Sequence, residues 1–233
     1  MRGSRTGGYL PTFRLCRLSA EFRVPGPRPR YSETMTKPLI ALDADGVLLD
    51  FHLGYADAWR RAFGALPPER DPQAYWPNHR WQIEPLDEAR MAHFLAHFDA
   101  HFWSSVPAIP GAVQACERLV AAGYDLVCVS ALEKSYERAR LNNLRALGFP
   151  IEQVMATGNA AGDRSPKAQA IAELSPVAFV DDYLPYLRGL PATVHTALIT
   201  RAPNGSPNKG PDMALARSVH LDLQDFVDDW LTR

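Results

Sequence analysis

Cysteine is scarce in this chain. Its 233 residues hold three, Cys16, Cys116 and Cys128, far apart and odd in number. No two form a CxxC pair, which argues against a disulfide framework and against a thiolate zinc site. Cys128 lies inside an apolar run, DLVCVS, as a reduced buried thiol would. A reducing compartment, the cytoplasm, fits that usage. No apolar run is long enough to cross a bilayer, so no membrane partner is expected. The net charge is −1, which leaves no global basic footprint for a nucleic acid polymer. Internal repeats are absent too, which argues against a solenoid.

Residues 1–34 lack lysine and hold few acids. Seven Arg face only Glu21 and Glu33, a net +5 that leaves −6 for the rest of the chain. The stretch VPGPRPR can be neither a helix nor a central strand. With no apolar h-region, a secretory signal is not expected. An Arg-rich, acid-poor leader suits an organelle transit peptide, or else an extension outside the fold with Met35 as a natural start. We take the second reading and expect residues 1–34 to be disordered.

What the chain does have is enough apolar material for one sizeable domain: 46% of its residues are hydrophobic and 22% charged. From Pro38 onward short apolar runs alternate with helical patterns. The runs at 39–43, 125–130, 153–156, 177–181 and 196–200 read as strands. Helical spacing appears near 111–122, 134–147 and 167–174. This alternation predicts a doubly wound parallel α/β sheet. Ligands bind such sheets at the carboxyl ends of the strands.

About 80 residues separate the first two strands, far more than one crossover needs. Within them GYADAWRRAFG reads as one helix. LDEARMAHFLAHFDAHFW reads as another, with Met91, Phe94, Leu95, Phe98 and Phe102 on one stripe and acids at its start. The expected layout is a core of residues 35–52 and 104–233 with a small helical cap, residues 53–103, inserted after the first strand.

Polar residues gather at the predicted strand ends. PLIALDADGVLLDF places Asp43 and Asp45 two residues apart after a buried strand, where like charges repel. Ser130 ends the strand DLVCVS. Lys167 opens a helix in SPKAQAI, and Asp181 and Asp182 follow VAFV. Several carboxylates converging on one edge call for a cation, and an oxygen-only set points to Mg2+. Ser130 offers a hydroxyl and Lys167 a positive charge, both suited to phosphate oxygens.

In this order, DxD, Ser, Lys and DD, the chain resembles the haloacid-dehalogenase-like (HAD) hydrolase superfamily over residues 38–200. The stretches that carry the resemblance are LIALDADGVLLDF, IPGAVQACERLVAAGYDLVCVSA, LNNLRALGF, SPKAQAIAEL and VAFVDDYLPYL. Through DGVLLDF, FWSSVPAIPGA and VDDY it is also similar to the 5′(3′)-deoxyribonucleotidase branch.

The resemblance implies a Rossmann-like core, a cap, and a Mg2+-dependent phosphatase acting on a small phosphorylated substrate such as a nucleotide or sugar phosphate. Asp43 would be the nucleophile and Asp45 the general acid and base. Asp43, the carbonyl of Asp45, and Asp182 would hold Mg2+, with Asp181 a second ligand or just behind. Ser130, Ala131 and Lys167 would bind the phosphoryl group. The pattern departs at Tyr186, where many members carry a further acid, which leaves the division between Asp181 and Asp182 open. A phosphomutase of the same superfamily is the alternative within the class. A non-hydrolytic phospho-accepting or binding module is the alternative outside it, although receiver-type modules order these elements differently and lack the insert.

Other features have plainer readings. Lys134 and Arg164 compete with Lys167 for the phosphate. His93, His97 and His101 fall at i, i+4, i+8 on the second insert helix, a zinc-like spacing, but they flank an apolar stripe and read as its polar margin. Trp59, Trp76, Trp81 and Trp103 read first as the insert's own core and second as a stacking surface for a base.

Overall fold

The computed structural model describes residues 37–159 and 162–233. The expectation for residues 1–34 and for Cys16 falls outside the described residues.

Five of the strands lie where the apolar runs predict them. They are β1 (Leu39–Leu42), β2 (Asp125–Ser130), β3 (Val154–Ala156), β4 (Ala178–Asp181) and β5 (His195–Ile199). A sixth, β6 (Ser218–His220), was not anticipated. All pair in parallel, in the order β3-β2-β1-β4-β5-β6. Leu42 is opposite Cys128 on one side and Val180 on the other, so β1 is central. The first two crossovers leave β1 towards β3 and the rest run the other way. The sheet therefore has its switch point at β1, where a doubly wound fold opens a crevice.

Alternate strand residues feed two apolar layers, as a pleat requires. Ile40, Leu42, Cys128 and Val180 face one side; Ala41, Val127, Phe179 and Leu198 face the other. The first layer is covered by α5 (Ala112–Ala121), α6 (Glu137–Ala146) and α8 (Leu223–Trp230), the second by α7 (Ala168–Leu174). Cys116 and Cys128 are free and buried, and burial pushes both thiols up, keeping them protonated. No helix among the described residues is long and apolar enough to cross a membrane.

The segment between β1 and α5 is helical, as expected, but its helices differ from the prediction. They are α1 (Phe51–Phe63), α2 (Pro77–Arg80), α3 (Glu88–Leu95) and α4 (Ala100–Ser105). Helix α1 begins at Phe51, with the Asp50 carboxylate accepting from Leu53 N, and it stops at Gly64 in the left-handed conformation. The long histidine-bearing helix is a correction: it is two helices. Asp99 accepts from Phe102 N at 2.9 Å and restarts the chain as α4. A carboxylate satisfies a free helix N–H better as a cap than it serves inside a helix. His93 therefore sits on α3, His97 in the break and His101 on α4, so the three are not on one helix, although the His93 and His97 rings lie 5.2 Å apart. The apolar stripe shrinks accordingly. Phe94 and Phe102 are buried, while Met91 and Leu95 are exposed. Phe94, Phe102 and Trp59 join the apolar layer on one face of the sheet.

Candidate active site

The carboxyl edge of β1 runs into a tight loop. Leu48 N and Leu49 N both return to the carbonyl of Ala44, and Gly46 N to that of Leu49. Gly46 has φ +89°, and a Cβ there would lie 2.2 Å from Oδ2 of Asp182. Only glycine allows both the turn and the approach of Asp182. The two carboxyl edges, after β1 and after β4, are thereby brought together.

Asp43 extends β1 by one residue, its N–H donating to Val180 O at 2.9 Å. Lys167, fully buried just before α7, donates through Nζ to Asp43 Oδ1 at 2.5 Å and to Asp181 Oδ2 at 2.6 Å. Burial alone would pull this lysine's pKa down; Asp181 and Asp43 outweigh burial and hold it up, so it stays charged. The competitors fall away: Lys134 pairs with Glu137 in solvent, and Arg164 packs against Gly189.

Asp181 is wholly buried. One oxygen takes Lys167 and the other accepts from Tyr183 N at 2.9 Å. Burial raises its pKa, with Lys167 opposing. Asp182 differs. Its backbone carbonyl takes Asn208 Nδ2 at 2.7 Å and Tyr75 OH at 3.4 Å, while its carboxylate lines the cavity beside Asp43. Its pKa is pushed far up by burial, then by the charges of Asp181 and Asp43. Oxygens of Asp43, Asp181 and Asp182 lie within 4.8 Å of one another.

Asp45 turns away from these three. Both its oxygens accept from Arg140 Nη2 at 2.8 Å. Burial raises its pKa and Arg140 opposes the rise. Among the described residues, Asp43, Asp45, Asp181 and Asp182 pair with two cations, Lys167 and Arg140, while Arg201 on the cavity wall pairs with Asp50. Two negative charges are left over when all are ionised. An all-oxygen donor set with that excess fits Mg2+, with Asp43 and Asp182 better placed to ligate than Asp181, whose oxygens are already engaged.

A cavity of about 490 Å³ opens over this floor. Asp43, Asp45, Asp182, Ser130 and Ala131 line its base, and Ser130 ends β2 nearly buried. Its walls are largely aromatic, with Phe51, Tyr75, Trp76, Trp103, Tyr183 and Tyr186, and His52, Thr200 and Arg201 also line it. Of the tryptophans, Trp59 and Trp81 are core, whereas Trp76 and Trp103 reach the cavity. Lys167 Nζ lies 4.8 Å from the centroid of the Tyr186 ring, a neutral neighbour beside the acids. The three histidines line no part of it.

Sequence reasoning missed Arg140, Tyr75 and Tyr183. Tyr183 directly follows the acid pair and was in plain view. Tyr75 sits in a Pro-rich loop whose course depends on a bridge between Ala74 and Asn204, and nothing local signals that contact.

Residues 37–185 match the family model described as haloacid dehalogenase-like hydrolase. A stretch of 97 residues, 40% of this chain and 50% of the relative, is 35% identical to a Bordetella pertussis protein named as a candidate 5′(3′)-deoxyribonucleotidase. The chain thus spans about half the length of the curated relatives it matches. Among solved structures, a HAD family hydrolase from Deinococcus radiodurans with bound phosphate and sodium is similar over 82% of this chain and 93% of its own. Its TM-score is 0.56 at 17% identity. A candidate phosphoglycolate phosphatase from Haemophilus somnus is similar over 86% of this chain and 100% of its own, with a TM-score of 0.54 and 15% identity. At such identities these two structures speak to the fold alone.

Proposed function

The chain belongs to the haloacid dehalogenase-like hydrolases, and from that premise we propose that it is a Mg2+-dependent phosphomonoester hydrolase acting on a small phosphorylated metabolite. The observation that carries this reading is the position of Asp43. Its carboxylate lines the cavity base, is gripped by Lys167, and stands among Ser130, Asp45 and Asp182. Bound Mg2+, held by Asp43, Asp182 and the Asp45 carbonyl, would supply positive charge for the phosphoryl oxygens.

The chain's own residues then divide the work. Asp43 attacks phosphorus: its oxygen forms the new P–O bond as the bond to the leaving alcohol breaks. Asp45 gives its proton to that departing oxygen. Ser130 and the Ala131 backbone, on the cavity base, hold the phosphoryl oxygens, while Lys167, buried beneath and bonded to Asp43, offsets the negative charge that shifts there. In the second step a water oxygen bonds to phosphorus, the bond to Asp43 breaks, and Asp45 takes the water proton. Inorganic phosphate leaves and both acids return to their starting state. Residues 53–103 act in this reading as the cap, with Tyr75, Trp76 and Trp103 reaching over the substrate.

The aromatic walls favour a substrate with a flat, stackable group beside its phosphate, such as a nucleoside monophosphate. The name of the Bordetella relative points the same way. A screen of phosphorylated metabolites, scored by phosphate release with Mg2+ and with excess chelator, tests the proposal. Release should need the metal and favour nucleoside monophosphates over sugar phosphates. Full activity in chelator would overturn the metal assignment. Conversion of substrate to an isomer without phosphate release would replace hydrolase by phosphomutase.

A further inference from the structure

Arg140 is an expensive residue to bury, and it is buried completely. It lies on α6, and its side chain reaches the loop that follows β1. Of its three nitrogens only Nη2 has a partner, and that partner is Asp45, bonded through both oxygens at 2.8 Å. Nε and Nη1 are sealed from solvent with no partner among the described residues. A guanidinium with most of its donors unsatisfied adds little net stability, because desolvation consumes what the ion pair returns. Packing the same space with apolar atoms would serve the fold as well.

Its surroundings hold it in one direction. Its guanidinium carbon is 5.0 Å from the ring centroid of Trp103, on α4. One turn further along α6, Asn143 donates to Val106 O at 2.9 Å, just past the end of α4. Helix α6 is thus tied to α4 at Arg140 itself and one turn beyond it, and among the described residues the side chain has one carboxylate partner. Trp103 also lines the cavity, so the same ring touches the brace and the substrate space.

We propose that Arg140 is a positioning residue that aims the Asp45 carboxylate at the leaving-group oxygen, with Trp103 holding Arg140 on target. The inference rests on the roles given to Asp43 and Asp45 above. A single nitrogen shared between both oxygens fixes the carboxylate plane. Without it, Asp45 is free to swing towards solvent or Lys167. Misplacement of a reacting group by about 1 Å can cost about a hundredfold in rate.

Leaving-group dependence separates this role from a structural one. An alkyl phosphate needs a proton on its departing oxygen; an aryl phosphate such as p-nitrophenyl phosphate does not. In Arg140→Met, kcat/KM for the best alkyl phosphate, which reports the first step, should fall by about ten- to a hundredfold. For p-nitrophenyl phosphate kcat/KM should change by less than about threefold, because the second step, which needs Asp45 as base for either substrate, enters kcat but not kcat/KM. Arg140→Lys keeps the charge but not the planar guanidinium that packs on Trp103, and should lose less on the alkyl substrate with the same split. Trp103→Leu should show the split more weakly still.

Asp45→Asn is run beside them. If it lacks the split, the reading of Asp45 fails and takes this proposal with it. If it has the split and both Arg140 variants lose the two substrates equally, or lose neither, Arg140 is not the brace and only this proposal falls. Should Arg140→Met fail to fold by circular dichroism, Arg140→Lys alone decides the matter by the same criterion.

Discussion

The floor and the walls of the cavity are built on different terms. The floor comes from strand ends: Asp43 after β1, Ser130 at the end of β2, Asp182 after β4, with Lys167 beneath. Its groups are fixed by backbone pairing and by ion pairs among buried residues, and its charges do not balance. The walls come largely from the helical insert and loops. Phe51, Tyr75, Trp76 and Trp103 carry no charge, and they lean on one another and on Tyr183. The floor is specified for chemistry and should tolerate no substitution. The walls are specified for shape, so substitution there should change which substrate binds more than how fast it reacts.

The sharpest way to break that contrast is at Asp43, the proposed nucleophile. Asp43→Asn should lower phosphate release by about 10⁴-fold or more, as removal of a covalent catalyst does. A folded variant with near wild-type turnover would end the assignment of Asp43.

Next comes the ion pair beneath it. Lys167→Met leaves Asp43 and Asp181 buried and unpaired. It should cost about 3–5 kcal/mol in urea unfolding, the usual penalty for half of a buried pair. A loss of less than about 1 kcal/mol would mean that the floor is not held by this lysine.

His52 lines the cavity next to Phe51, and its Nδ1 is buried without a partner among the described residues. Burial first, then Arg80, lowers its pKa to about 4. The folded state thus keeps it neutral while the unfolded state takes up a proton below about pH 6.5. Stability should fall as pH drops from about 6.5 to about 4, by up to about 3 kcal/mol from this residue. His52→Gln should flatten that part of a pH–stability curve; an unchanged slope would show that His52 is not its source.

Gly46→Ala puts a Cβ against Asp182 at a positive φ, a strain of about 1–3 kcal/mol. Because Asp182 must move, Mg2+ should no longer raise the melting temperature of this variant. A wild-type Mg2+ shift would show that the metal does not depend on Asp182.

The smallest effect belongs to the walls. Trp76→Ala should raise KM for the preferred substrate by about tenfold, from lost stacking worth about 1–3 kcal/mol, with kcat little changed. A fall in kcat of the same size would blur the distinction between floor and walls.

How much of this was legible in the sequence follows the same division. Asp43, Ser130, Asp181 and Asp182 announce themselves because a strand buried on both faces reads as an apolar run, and its end marks the crevice. Lys167 follows from a helix start in register with them. The walls depend on where loops return, and no period encodes that. Arg140 is one of several arginines on α6, and its sequence neighbours do not distinguish it from exposed ones such as Arg145. The break between α3 and α4 was hidden by an apolar rhythm that runs through it, though Asp99, three residues before Phe102, carried the capping signal. Helix α8 had a readable spacing in Leu223, Phe226 and Val227. The edge strand β6 is three residues long and has too little apolar character to stand out.

The covalent step on Asp43 is the central claim, and acid quench followed by peptide mass spectrometry tests it most directly. Asp45→Asn supplied with p-nitrophenyl phosphate and Mg2+ should form the aspartyl-phosphate faster than it loses it, since the second step still needs a base. The account predicts one phosphoryl group on the peptide that contains Asp43, and none when Asp43 is also replaced by Asn. Steady release of p-nitrophenol with no phosphorylated peptide, or with phosphate on another residue, would contradict it.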